Sequence, residues 1–389
     1  MHSIYRTFIL LLFEISLFLF LLLFKNGDFQ RTVAATNHSY AYFKDIFNEK
    51  FSHLTVNDYT GQVYVGGVNK IYQLSKDLTL ESSVEMGPRN DSTECPVTRY
   101  CPKIEKKETD YWNKVLVIDY PKSQLITCGS LFQGVCSVHK LDNISLYETP
   151  ANESVVANNA TASTVAFIGL GPAELSRMHV LYVGVSFTGS GPYRSDVPTV
   201  SSRSIDSDSM FLIAATGVTA GTRLMVNSLA RDRYPITYVY GFSHKGFSYF
   251  VTYQKKTANA PKPFLSKLVR VCQKDIDYYS YTEVPLVCRS ADHYDYNLAQ
   301  AAFVGLAGSE LAASLGITAQ DEVLFVVFAK SLDKNEVYNK PSNSSALCVF
   351  ALSAVHRKFT QNIQHCYNGN GNQGLDFVNP PKQCELTVN

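Results

Sequence analysis

Short apolar runs, separated by clusters of Gly, Asn, Asp and Pro, set the pattern of this chain. The stretch from Leu54 to Leu74, LTVNDYTGQVYVGGVNKIYQL, shows it most clearly. Leu54 to Val56 closes one predicted strand, and Asp58 to Gly61 supplies a turn. Gln62 to Gly66 reads as a second strand, Gly67 to Asn69 as a second turn, and Ile71, Tyr72 and Leu74 as the start of a third strand. β-Branched and aromatic residues between turn formers are the signal for an antiparallel meander. The second strand and its glycine recur as Gln124-Leu-Ile-Thr-Cys128-Gly129 and as Val180-Leu-Tyr-Val-Gly184. Counted from Val63, Leu125 and Leu181, the spacings are 62 and 56 residues. A strand-only repeat of this length predicts an all-β chain built from the four-stranded blades of a β-propeller.

The same pattern continues. Val115 to Asp119, Val165 to Ile168, His179 to Phe187, Leu265 to Cys272, Leu298 to Val304 and Val323 to Phe328 are predicted strands. Tyr238 to Phe242 and Phe247 to Tyr253 form a hairpin around Ser243 to Gly246, with Lys255 to Pro263 as the connecting loop that follows. Ser82 to Asp110 reads as a long insertion, Asn143 to Thr164 as a polar loop, and Gly189 to Asp208 as exposed by composition. Two short helices interrupt the strands. Ser309 is placed to cap one that stops at Gly316. Leu352, Val355, Phe359 and Ile363 share one face of another that follows Ser353. Counting from Phe51, 339 residues remain, room for five to six blades, and no closing strand follows Cys384.

Net charge is +1, which argues against a nucleic-acid partner. Phe8 to Phe24 is an apolar run preceded by Arg6, long enough for a signal-peptide core and at the lower limit for a membrane-spanning anchor. Residues 1–35 are therefore assigned to a signal peptide or signal anchor, and 36–50 to a linker. Six Asn-X-Ser/Thr sequons, at Asn37, Asn90, Asn143, Asn152, Asn159 and Asn343, fit glycosylated loops of a secretory-pathway protein. The nine cysteines show no metal-ligand spacing, so disulfides are expected, in connectivities that spacing alone leaves open.

Several units together resemble one family. These are the 54–74 stretch, VLVIDYPKSQLITCGSLFQGVC (115–136), VPTVSSR (197–203), LAQAAFVG with LAASLG and DEVLFVVFAKS (298–331), and ALCVF with NIQHCYNG (346–369). They resemble the sema domain of plexins from about Phe51 to Cys384. The resemblance implies a seven-bladed propeller, here reduced to about five to six blades, that binds semaphorins at the cell surface in axon guidance. Membrane attachment is then expected through segments that plexins carry after this domain. The resemblance also implies the pairs Cys95–Cys101, Cys128–Cys136, Cys288–Cys348 and Cys366–Cys384, with Cys272 left unpaired. Loop entropy is about 2.4 kcal/mol for the first pair and about 4.3 kcal/mol for Cys288–Cys348. It further places the semaphorin surface on the edges of the third and fourth blades. That selects Arg203, Asp206, Asp208 and Phe211 as contacts, since mixed charges beside an aromatic suit polar recognition.

No catalytic residue, cofactor, metal or small-molecule substrate is expected. Gly369, Gly371 and Gly374 spell G-x-G-x-x-G without the preceding strand that a dinucleotide site needs. Asp206 and Asp208 lack a third spaced ligand for Ca²⁺. His244 and His293 have no Cys or Glu at catalytic spacing and read as surface imidazoles. A secreted semaphorin-like ligand or decoy, and a propeller hydrolase with carboxylates from distant loops, are the competing readings.

Overall fold

The computed structural model describes residues 41–46, 50–150, 153–172, 179–186, 191–218, 221–226, 234–255, 264–292, 295–332, 340–370, 378–379 and 384. The apolar run, Asn37, Asn152, His293, Gly371 and Gly374 lie outside them. From Lys44 onward the chain is one compact unit. No helix among the described residues is long and apolar enough to cross a membrane.

The predicted meander is the first sheet: β1 (Phe51–Val56), β2 (Val63–Gly67), β3 (Lys70–Leu74) and β4 (Leu80–Glu85), hydrogen-bonded in sequence order. A small hairpin, β5 (Arg89–Asp91) and β6 (Lys107–Thr109), follows. The second sheet is β7 (Asn113–Asp119), β8 (Gln124–Gly129), β9 (Cys136–Lys140) and β10 (Tyr147–Glu148). The third is β11 (Thr164–Leu170), β12 (His179–Val185), β13 (Val200–Ser204) and β14 (Arg223–Val226). The fourth is β15 (Ile236–His244), β16 (Phe247–Lys255), β17 (Phe264–Cys272) and β18 (Thr282–Pro285). The fifth is β19 (Leu298–Leu306), β20 (Glu322–Ser331) and β21 (Pro341–Ala351). Helix α1 (Gly308–Leu315) joins β19 to β20, and α2 (Leu352–Tyr367) follows β21. A last short strand, β22 (Val378–Asn379), returns to pair with β14.

The first strands β1, β7, β11, β15 and β19 touch one another in that order. That contact sequence is the mark of a propeller: first strands inside, later strands outside, each sheet packed face to face on the next. Each gap between neighbouring sheets holds its own core. Tyr64, Ile71, Leu116 and Leu125 fill the first gap. Ile126, Leu181, Val183 and Phe211 fill the second. Tyr182, Tyr238, Phe250 and Val269 fill the third. Tyr249, Leu324, Phe328 and, from α2, Phe359 fill the fourth. On its other side the fifth sheet exposes Phe303, Val327 and Leu347.

The repeated glycines belong to these gaps. A Cβ on Gly66 would stand 2.3 Å from Asn113 Oδ1, on the first strand of the next sheet. The recurrence of glycine at the end of the second strand is therefore set by the close passage of an adjacent side chain.

Four expectations change. Ser82 to Glu85 belongs to β4, so the insertion begins later and carries the β5–β6 hairpin. The 189–208 segment is not exposed throughout: β13 inside it is buried along its whole length, because its serines face neighbouring strands and loops rather than water. Ser309 lies inside α1 and does not cap it, and α2 begins at Leu352, one residue before Ser353 rather than after it. The N-caps are Ala307 and Ala351, without a side-chain cap bond, although Gly316 does stop α1 in the left-handed conformation with φ 66°. His244 is no surface imidazole: its ring is 9% exposed and its Nδ1 lies 2.8 Å from Glu322 on the fifth sheet.

The disulfides are Cys95–Cys101, Cys128–Cys136, Cys288–Cys348 and Cys366–Cys384, and Cys272 is a half-buried thiol outside them. Cys128 and Cys136 are direct cross-strand partners. The turn between them holds Phe132, Gln133 and Gly134 at φ 54°, 67° and 83°. It is clamped from both sides. Asp91 Oδ2 accepts from Phe132 N–H at 2.7 Å, and Gly134 O accepts from the N–H groups of Val155 and Val156 at 3.0 and 3.1 Å.

Candidate recognition surface

In a meander every connection from an odd to an even strand of a blade falls at one end of the sheet. The β1–β2 turn, the β7–β8 turn, the β13–β14 loop and the β15–β16 turn therefore share one end of the propeller. Contacts between neighbouring sheets confirm it. Tyr59 packs edge-on against Tyr120, ring centroids 5.0 Å apart, and Tyr120 Oη accepts from Asp58 N–H at 2.9 Å. Lys122 in the β7–β8 turn reaches Asp206 in the β13–β14 loop at 3.3 Å.

The four residues selected from sequence divide in two. Arg203 lies on β13 and is 2% exposed. Its Nε donates to Ser201 Oγ at 3.1 Å, Nη1 to Phe211 O at 3.3 Å and Nη2 to Ser154 O at 3.1 Å, and Glu153 stands 3.6 Å away. Burial pulls its pKa down to about 10, opposed by Glu153, so it remains cationic at neutral pH. A rigid planar fork suits this three-way tether. Phe211 is fully buried in the gap between the second and third sheets, with φ 67°, and its N–H donates to Ser204 O at 2.8 Å. Both side chains are interior supports of the loop rather than contacts, because the strand and loop fold over them.

Asp206 and Asp208 are at the surface. Asp206 carries the Lys122 ion pair, with the two side chains 35% and 36% exposed. Its N–H donates to Ser204 Oγ at 3.2 Å, and Ser204 Oγ lies 2.7 Å from Ser209 Oγ. Asp208 is exposed on a single tight turn, Ser207–Ser209. Leu212 and Val218 stand exposed farther along the loop. The loop thus presents carboxylates and aliphatic side chains on a base tied down by Arg203. With Asp206 held by a lysine, the pair forms an ion-paired surface and not a cation cage.

Lys122 and Glu153 are missing from the sequence-based selection. Lys122 sits in a Pro-Lys-Ser turn whose only local message is a reversal of the chain. Its partner lies 84 residues away, and no spacing signals that.

Of the sequons, Asn90 on β5, Asn143 and Asn343 on β21 are exposed, and Asn159 is half-buried. Asn159 Oδ1 accepts from the N–H groups of Thr161 and Ala162 at 2.9 and 2.7 Å.

Comparison with known proteins agrees with this architecture. The family model described as the Sema domain matches residues 299–388. Plexin-A2 of Homo sapiens is 31% identical over 350 residues, covering 84% of this chain and 18% of that protein. Plexin A3 of Danio rerio is 32% identical over 375 residues, covering 87% and 19%. The chain thus spans less than a fifth of the length of these relatives. Among solved structures, the extracellular region of plexin A4 superposes with a TM-score of 0.75 at 29% identity, over 90% of this chain and 40% of that one. Drosophila Semaphorin 2a, at 14% identity and a TM-score of 0.51 over 80% of this chain and 49% of that one, shares the fold alone. The region that begins at β1 is therefore a plexin-type sema domain, a β-propeller of which the described residues form five blades.

Proposed function

We propose that this sema domain is a protein-recognition module on the extracellular side of a plexin-like receptor, that its partner is a semaphorin-type protein, and that it acts by binding without chemistry. The observation that carries this reading is the superposition of nine-tenths of the chain on the plexin A4 extracellular region. The oxidised cysteine pairs suit an oxidising compartment.

Within the domain, Asp206 and Asp208 are the proposed contacts, and Arg203 and Phe211 hold the loop that carries them. Carboxylates on a braced loop favour a partner surface that presents Lys or Arg, which sets the encounter rate and register. The test is charge reversal, Asp206→Lys with Asp208→Lys, in the intact receptor. Affinity for a semaphorin ligand is expected to fall about tenfold or more, equivalent to about 1.4 kcal/mol, with thermal stability little changed. Unchanged affinity removes both residues from the surface.

A further inference from the structure

The third sheet borrows its outermost strand from a distant part of the chain. β4, β10 and β18 each follow directly on the strand they pair with, whereas β22 arrives only after β21 and α2. β14 is shared between its two neighbours. β13 pairs with its first half, Ser201 with Arg223 and Val200 with Leu224. β22 pairs with its second half, Asn379 with Met225 and Val378 with Val226. β14 is also the exit of the β13–β14 loop that carries Asp206 and Asp208. Thr222 N–H donates to Ala215 O at 3.0 Å, Ser202 N–H to Thr222 O at 3.0 Å and Thr199 N–H to Leu224 O at 2.8 Å.

The segment that delivers β22 is rooted in α2, which packs against β18, β20 and β21. Phe359 of that helix is fully buried. Its ring and that of Phe247 lie 4.5 and 4.3 Å from the Arg270 guanidinium, so a cation stacked on both rings joins α2 to the fourth sheet. Cys366, in the last turn of α2, is buried and bonded to Cys384, 18 positions later, which places β22 inside a closed loop. Two residue pairs cannot by themselves offset the entropy of ordering a free segment. Closing that segment onto a fixed helix removes much of the cost in advance.

We infer that the Cys366–Cys384 loop is a strap that positions the proposed recognition loop: α2, seated on the fourth and fifth sheets, holds β22 on β14, and β14 fixes the exit of the β13–β14 loop. Val378 and Asn379 are positioning residues that act through the backbone of β14. The strap is one of three ties on this loop. Arg203 braces its entry, and Asp277, between β17 and β18, accepts from Val218 N–H at 3.1 Å and Gly221 N–H at 3.3 Å. A displacement of α2 is thereby felt on the third sheet, at the surface where the partner docks. The inference rests on the reading of Asp206 and Asp208 as contacts given above.

The test uses the intact receptor, with hydrogen exchange read at the amides of Thr199, Ser202 and Thr222 and semaphorin affinity measured in parallel. Val378→Pro opposes strand pairing and keeps every disulfide. Cys366→Ser with Cys384→Ser opens the loop and keeps the strand. Each variant is expected to speed exchange at the three amides about tenfold or more, with amides of the first sheet unchanged. Affinity is expected to fall about threefold or more, as fewer molecules hold the loop in its binding position. Val378→Ile keeps the backbone pairing and is expected to behave like the parent. Unchanged exchange at the three amides in both variants overturns the strap. Equal acceleration in every sheet also overturns it, because that reports a loss of global stability. Acceleration confined to the third sheet with unchanged affinity supports the strap and overturns the placing of semaphorin contacts on this loop.

Discussion

Gly184 on β12 and Tyr238 on β15 meet across two sheets: a Cβ built on Gly184 would stand 2.4 Å from Tyr238 Cδ1 and 3.0 Å from Phe250 Cδ1. The tyrosine cannot swing aside, because its hydroxyl is bonded to Thr199 Oγ1 at 2.8 Å and the ring is fully enclosed. Gly184→Ala is therefore expected to destabilise the domain by about 1–3 kcal/mol through overpacking. Thermal or denaturant unfolding of the secreted protein measures it. Alanine at Gly246, where φ is 81° and no atom lies within 4 Å of the built Cβ, separates clash from backbone strain.

Arg203 gives a second prediction. Arg203→Met leaves the carbonyls of Ser154 and Phe211 without their donors and Glu153 without its cation. The expected loss is about 1–3 kcal/mol for a buried group left unsatisfied. Arg203→Lys keeps the charge but cannot fork, so it is expected to lose most of the same stabilisation. Hydrogen exchange should rise first at Phe211 and Leu212, whose amides bond back to the loop and strand.

The Lys122–Asp206 pair is half-exposed, so its own value is about 0–1 kcal/mol. Lys122→Glu alone is expected to change unfolding stability within that range. Its larger effect is on the position of the β13–β14 loop, because Lys122 Nζ also donates to Ile205 O at 2.5 Å. The swap Lys122→Asp with Asp206→Lys is expected to recover stability but not semaphorin affinity. Parallel unfolding and binding measurements separate the two roles.

Two histidines contribute to the response to acid. His139 is fully buried, with Nδ1 donating to Ile144 O at 2.7 Å and Nε2 lying 2.9 Å from Thr127 Oγ1. Burial lowers its pKa to about 4, and burial with the nearby Lys114 lowers His53 to about 4 as well. Between about 6.5 and 4 the unfolded chain binds protons that the folded chain refuses, so stability rises with pH across that window. Their neutral forms contribute fully above pH 6.5, and the contribution is lost as pH falls toward 4. Unfolding midpoints taken from pH 7 to pH 4 should fall, and His139→Gln, which cannot charge, should flatten the fall.

Cys272 predicts a stoichiometry. The unreduced chain, denatured and treated with a maleimide, should bind one equivalent per chain. Labelling of the native protein should be slow, because the thiol is half-buried at the end of β17.

The meander was legible because period-2 apolar runs and turn residues are local signals, and the second strands at Val63, Leu125 and Leu181 fall in the second position of three successive sheets. The helix face of Leu352, Val355, Phe359 and Ile363 was legible for the same reason: the first three are buried, and Ile363 is half-buried. β13 was not legible, since Val-Ser-Ser-Arg-Ser reads as a loop until its neighbours surround it. Nor was the division within the chosen site. Arginine and phenylalanine beside two aspartates look alike as surface residues on paper. Only the passage of Ser154 and Phe211 carbonyls around the guanidinium turns Arg203 inward. Long-range partners such as Lys122 with Asp206, or His244 with Glu322, depend on which turns the propeller brings together.

The turn from Leu131 to Gly134 has a mechanical meaning. Under the proposed function a ligand fixed to another cell would pull on this domain, and tension would spread along the shortest stiff route through it. Here a covalent cross-link spans adjacent strands, and backbone bonds from Gly134 to Val155 and Val156 join that spot to the chain leading into the third blade. Asp91 joins it to the small hairpin. Load entering at the rim there would be shared by three segments before the β8–β9 pair could be peeled open.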